Sequence, residues 1–134
     1  MAVDWNSPAV IARMQAATMR GVTTAIHIVE DHAVNLIMQG PKSGKVYARR
    51  GVQHQASAPG EAPANDTGRL VNSRTVDLFP AEIRARLTFR TAYALPLEVG
   101  TAKMEPRPYA RRSLAERRGD IIASIAGEIK RELG

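Results

Sequence analysis

The chain is expected to be a single α+β domain: a long N-terminal helix, a small mainly antiparallel β-sheet, and a C-terminal helix packed on that sheet. Three observations predict this. An apolar stripe at spacings of three and four runs through the first third of the sequence, the mark of one buried helix face. A clean alternation of apolar and arginine side chains occupies 83–90, the mark of a half-buried strand. A second helical stripe fills the last quarter. The regions are bounded at 1–41 for the N-terminal helical part, 42–107 for the sheet part with a long loop at 51–66, and 108–134 for the C-terminal helix.

The first helix starts at Asn6-Ser7-Pro8, with Ser7 read as N-cap and Pro8 as first helical residue. Its stripe is Ile11, Met14, Thr18, Val22, Ala25, Val29, Ala33 and Leu36, and Gly40-Pro41 ends it. Gly21 and the β-branched run after it are potential break points; uninterrupted, roughly 32 residues span about 48 Å, which is long for so small a domain. A turn at 42–45 then leads into a short strand at 45–49. Residues 51–66 show no hydrophobic period, and a structureless stretch of that length usually marks a functional or partner-ordered loop. A short helix through Leu70 and Val71 is expected to be capped by Asp66 or Thr67. Residues 75–79 alternate weakly. At 83–90, Ile83, Ala85, Leu87 and Phe89 share one face, and Arg84, Arg86 and Arg90 the other. The short link at 80–82 makes these two strands an antiparallel pair. Pro106 and Pro108 hold the chain extended until about residue 108. The last helix runs over 109–133 on Leu114, Ile121, Ile122, Ile125 and Ile129.

Composition narrows the function classes. Apolar content of 44% with 24% charge is globular, but aromatics are only 4%, so the core rests on aliphatic side chains and is modest. A modest core raises the value of contacts with partner subunits. Cysteine is absent, which excludes disulfides, thiolate metal sites and cysteine nucleophiles. Neither a signal peptide nor a membrane span is expected, because no basic stretch precedes an apolar one and no long apolar run occurs. The net charge of +6 is uneven: residues 1–66 hold six basic against five acidic side chains, and 67–134 hold thirteen against eight. Arginine-rich surfaces suit carboxylates or phosphates, so an acidic protein face or nucleic acid is the implied partner.

No motif carries catalysis. Lys42-Ser43-Gly44-Lys45 lacks the first glycine and the following helix of a phosphate loop and reads as a surface turn. His27 and His32 are five apart, so they do not share a helix face as paired metal ligands would. Neither a nucleophile elbow nor a framed carboxylate pair occurs. No catalytic residue, metal ligand or cofactor is therefore expected. Arg111, Arg112, Arg117 and Arg118 read either as a solvated helix face or as a docking face for an acidic neighbour, with Arg111 and Arg118 on one helical side. Direct phosphate contact ranks third, since no aromatics interleave with them.

The densest local pattern is Tyr93-Ala94, Glu98, Gly100-Thr101 and Arg107-Pro108-Tyr109. Gly100 suits a positive φ, and Glu98 and Arg107 are candidates to pair across the turn. With the run 57–64 and Asp66-Thr67-Gly68-Arg69-Leu70, this order resembles the tail-component family of lambda-like long-tailed phages, the gene-product-ten family of an HK-type lambdoid phage. The likeness covers roughly 42–125. Pro96 departs from the pattern, and Val99 and Tyr109 stand where Phe is commoner.

The resemblance implies a structural virion protein at the head–tail junction, made in the host bacterial cytoplasm. It implies a neck, tail-completion or tail-terminator subunit in a homo-oligomeric ring, with sixfold symmetry like the tail tube. Neighbouring neck and tail-tube proteins would be its partners, and DNA only cargo in the channel. Tyr93, Glu98, Gly100, Thr101, Arg107, Pro108 and Tyr109 would shape the turn beneath the last helix. Gln55, Ser57, Pro59 and Glu61, with the four arginines, are the candidate subunit contacts. The rival reading is a small DNA-binding module using the basic C-terminal half, which predicts duplex binding with steep salt dependence.

Overall fold

Asn6 begins the first helix by accepting the Ala9 backbone N–H on its side-chain oxygen at 3.2 Å. In the computed structural model, which describes residues 4–65 and 68–134, helix α1 is continuous over Ser7–Gln39, 33 residues long. The cap therefore lies one residue before the expected Ser7, whose hydroxyl accepts the Trp5 indole N–H instead. Gly21 does not break the helix. Buried α1 residues are Ala17, Gly21, Ala25, Val29, Ala33 and Ile37, a row at steps of four, with Leu36 beside its end. The expected stripe matches this row from Ala25 onward but misses it at the N-terminal end, where Ile11 is exposed. Small residues rather than large ones mark the contact there, because another helix comes very close.

That helix is the last one. The expected 109–133 helix is divided into α4 (Ala110–Glu116) and α5 (Arg118–Leu133), with Arg117 between them. Helix α5 packs on α1 rather than on a sheet, the first correction to the expected architecture. The partner is α1 because its seam of Ala17, Gly21 and Ala25 lets the two backbones approach, whereas the sheets are only two strands wide. The helices run antiparallel. Arg13 pairs with Glu132 at 2.8 Å, and Arg20 pairs with Glu128 and Glu132 at 3.2 and 3.1 Å.

The class is thus α+β as expected, with two separate antiparallel sheets in place of one. Strands β3 (Arg74–Phe79) and β4 (Arg84–Phe89) pair from Arg74 opposite Phe89 to Phe79 opposite Arg84. Their link is a 3₁₀ turn, Pro80–Glu82, closed by Ile83 at φ 49°. The apolar face of β4 lies on α1. An apolar recess of about 150 Å³ between them is lined by Val22, Ile26, Val29, Ala85, Leu114 and Ile125. On the opposite face the Arg84 guanidinium stacks 4.1 Å from the Phe79 ring centre.

Strands β1 (Val46–Arg49) and β2 (Val52–Gln55) form the other ribbon, with Tyr47 opposite His54. The long loop expected at 51–66 is therefore partly strand. An exposed ribbon has no buried face, so its sequence shows no alternation. Short helix α2, Arg69–Asn72, follows Gly68 at φ 76°; the caps expected at Asp66 and Thr67 lie outside the described residues. Helix α3, Ala94–Val99, accommodates Pro96 in its first turn, where a backbone N–H has no helical acceptor to lose. The core gathers at the C-terminal end of α1, where Leu36, Ile37, Ala62, Leu70, Val71, Ala94 and Tyr109 bury together.

Candidate assembly surfaces

The residues of the 93–109 pattern meet at one point, and what they form is a brace. Glu98, near the end of α3, turns its carboxylate to the start of α4. There it accepts the backbone N–H groups of Tyr109 at 2.9 Å, Ala110 at 3.0 Å and Arg111 at 2.8 Å. A helix start leaves such groups without partners and carries partial positive charge, so an anion is favoured there. The expected Glu98–Arg107 pair is not made, because the three N–H groups take the carboxylate. Arg107 instead donates its side-chain Nε–H to the Ser57 carbonyl at 3.2 Å, and its backbone N–H to the Leu97 carbonyl at 2.7 Å.

Gly100 sits at φ 80°, ψ 175°, a region nearly closed to other residues. A Cβ there would also lie 2.9 Å from the Met104 carbonyl oxygen and from Pro106. Thr101 bridges back to Met104, closing the turn. Pro108 leads into Tyr109, which is 2% exposed. Its hydroxyl donates to the Ala94 carbonyl at 2.9 Å, and its ring meets the Phe89 ring edge-on, 4.9 Å between centres. Burial, with the Glu98 charge adding to it, pushes the Tyr109 phenol well above its usual range. Tyr93 precedes α3 and is partly exposed. The pattern thus ties α3, α4 and the 57–60 segment together.

The four residues expected as loop contacts divide in two. Ser57 is buried within its own chain. Glu61 accepts the Ala58 N–H at 2.8 Å and the Ser43 N–H at 2.9 Å, together with the Ser43 hydroxyl. These bonds, that to Ala58 first, hold its carboxyl down to about 2. Gln55 and Pro59 are exposed, Gln55 reaching the Gly44 carbonyl at 3.3 Å. Beside them, burial lowers the pKa of Lys42, whose ammonium donates to the Leu36 and Ala62 carbonyls at 2.9 and 2.8 Å.

The arginine quartet divides as well. Arg112 pairs with Glu116 at 2.7 Å, and Glu116 accepts from His32 at 2.6 Å. These contacts, Arg112 first and His32 second, lower the Glu116 pKa. Arg117 reaches Asp120 and His32 Nδ1, both at 3.3 Å. This network of α4, α1 and α5 side chains straddles the break at Arg117 and fixes it against α1. Arg111 and Arg118 are exposed and carry no ion pair among the described residues. They stand on two helices, not on one continuous face.

His27, the other α1 histidine, pairs with Glu30 at 2.9 Å. Among the described residues no group of three or more His, Asp or Glu converges as metal ligands do, and no helix is long and apolar enough to cross a membrane. No family model, curated protein or solved structure matches the chain.

Proposed function

We propose that the protein is a structural subunit of a tailed bacteriophage or phage-like particle, a ring-forming neck, tail-completion or tail-terminator protein that joins tail to head. It acts by non-covalent assembly, without catalysis.

The observation that carries the assembly reading is surface area. The chain exposes 8875 Å², against about 6,900 Å² for a compact monomer of 14.6 kDa. The excess, about 2,000 Å² on one chain, exceeds the roughly 800 Å² that each partner contributes to a standard interface and leaves room for more than one neighbour. It lies on apolar groups as well as polar ones: Val46, Val52, Leu95, Leu114, Ile122 and Leu133 are all exposed. Helix α5 has no fully buried residue. A chain left open in this way is stabilised by neighbours of its own kind or others. The resemblance of the 93–109 pattern supplies the particular setting, and the unpaired Arg111 and Arg118 supply charge for an acidic neighbour.

The test is negative-stain electron microscopy of particles from a phage or prophage lacking the gene. Separate DNA-filled heads and free tails, or tails of uncontrolled length, are expected. Intact infectious particles would overturn the reading.

A further inference from the structure

We propose that the β1–β2 hairpin is a nucleic-acid-binding arm, which docks on the phosphate backbone of duplex DNA.

The first observation is the shape of the arm. Its strands are four residues each, and Val46 and Val52 are 53% and 57% exposed. A lone two-stranded ribbon is marginal in water, and this one is held at its base. The Gly44 N–H donates to the Ala56 carbonyl at 2.8 Å, and the Ala56 N–H to the Lys45 carbonyl at 3.0 Å. A Cβ on Gly44 would lie 2.6 Å from the Ser57 carbonyl oxygen, so only glycine lets the base close. A two-stranded ribbon is one of the two elements that the major groove admits.

Charge is the second observation. Between 42 and 60 the sequence holds Lys42, Lys45, Arg49 and Arg50 and no acidic residue. Lys42 is committed to carbonyls of the body. Lys45 and Arg50 are exposed and make no ion pair among the described residues, whereas Arg13, Arg20, Arg74, Arg112 and Arg117 each hold a carboxylate. The arm segment therefore carries positive charge with no acidic residue of its own, whereas the rest of the chain is nearly balanced, fifteen basic against thirteen acidic side chains.

The tip is the third. Arg50 and Gly51 have φ 53° and 76°, the paired positive values of a tight hairpin turn that favours Asn or Asp before Gly. Arginine in that place strains the backbone and sets a guanidinium at the far end of the arm. Strain of this kind is a pointer to function. On the same ribbon, at the third residue pair back from the tip, Tyr47 stacks on His54 with 5.8 Å between ring centres. Like charge disfavours a meeting of two such arms, and phosphate complements them.

The proposal concerns the isolated chain and does not rest on the junction reading. The full-length protein is titrated into a fluorescent duplex of about 20 bp at about 50 and 200 mM salt, read by anisotropy. Binding that weakens steeply with salt is expected. Lys45→Glu with Arg50→Glu should weaken it about tenfold or more and flatten the log–log salt slope by about 2. Arg50→Asn should weaken binding while raising Tm, since it removes charge and relieves the turn; unfolding cannot produce that combination. Arg111→Glu with Arg118→Glu should leave binding within about twofold. Absence of salt-sensitive binding, or equal binding by the arm variants, would overturn the proposal. So would loss of binding through the helix arginines alone, or arm variants that change sedimentation but not DNA binding, which would make a second copy the occupant.

Discussion

Glu98 and Tyr109, eleven residues apart, are joined by a 2.9 Å bond from the Tyr109 backbone N–H to the Glu98 carboxylate, which also takes the next two N–H groups of α4. A side chain at the end of one helix thus supplies the cap that α4 lacks locally, since no neighbouring side chain caps it. Removing the carboxylate leaves three donors at a helix start, those of Tyr109 and Ala110 half-buried and that of Arg111 exposed. Glu98→Ala should lower unfolding free energy by about 2–3 kcal/mol and Glu98→Gln by about 1 kcal/mol. Urea denaturation checks this, and a loss below about 0.5 kcal/mol for the alanine variant would show the cap to be dispensable.

Gly21 provides a second test, because its expected sign runs against propensity. Alanine ordinarily stabilises a helix interior relative to glycine by about 1 kcal/mol. At Gly21 a Cβ would stand 2.5 Å from the Ile125 Cα, so α1 and α5 would have to separate. A net loss of about 1–3 kcal/mol is expected. Gly127, inside α5 with nothing within 4 Å of its position, is the control. Gly127→Ala should gain about 0.5–1 kcal/mol. Opposite shifts in Tm for the two substitutions would confirm that the helix seam is set by backbone contact.

The same close approach explains what could be read in the sequence and what could not. The length and end of α1 follow from Asn6-Ser7-Pro8 and Gly40-Pro41, and β4 follows from its alternation, because those signals are local. The contact face at Ala17 and Gly21 has no large apolar side chain to announce it. The break at Arg117 is hidden because Leu114 and Ile121 keep helical spacing across it. Strand β2 has no alternation because neither face of its ribbon is buried. Within the 93–109 pattern, the positive φ at Gly100 is legible from residue type. The partner of Glu98 is not, because backbone N–H groups carry no signature in sequence.

Glu61 predicts a pH dependence. Its carboxyl is held down to about 2 by the Ala58 and Ser43 bonds. The folded state therefore binds this proton less readily than the unfolded chain, so the stabilisation is complete above the ordinary carboxylate pKa. It is lost as pH falls from about 4.5 toward 2. Tm of the wild type and of Glu61→Gln should differ at pH about 6 and converge by pH about 2. Glu116 and Glu132 are also lowered, by Arg112 and Arg13 first, but they act on both proteins alike. A gap that persists unchanged at low pH would show that the amide substitution acts through packing instead.

Arg111 and Arg118 separate stability from assembly. Neither side chain makes an ion pair among the described residues, whereas Arg112 and Arg117 belong to the network that fixes the α4–α5 break on α1. Exposed, unpaired charges contribute little to folding, so reversing both should change Tm negligibly. If they meet an acidic neighbour, reversal sets like charges in contact, a cost of several kcal/mol at an interface. Arg111→Glu with Arg118→Glu should therefore yield a folded monomer that fails to support normal particles in complementation. Arg112→Ala, in contrast, should lower Tm by loosening the break. Normal particles from the double reversal would remove these two arginines from the assembly surface, and an unfolded double variant would mean that their charge serves the fold.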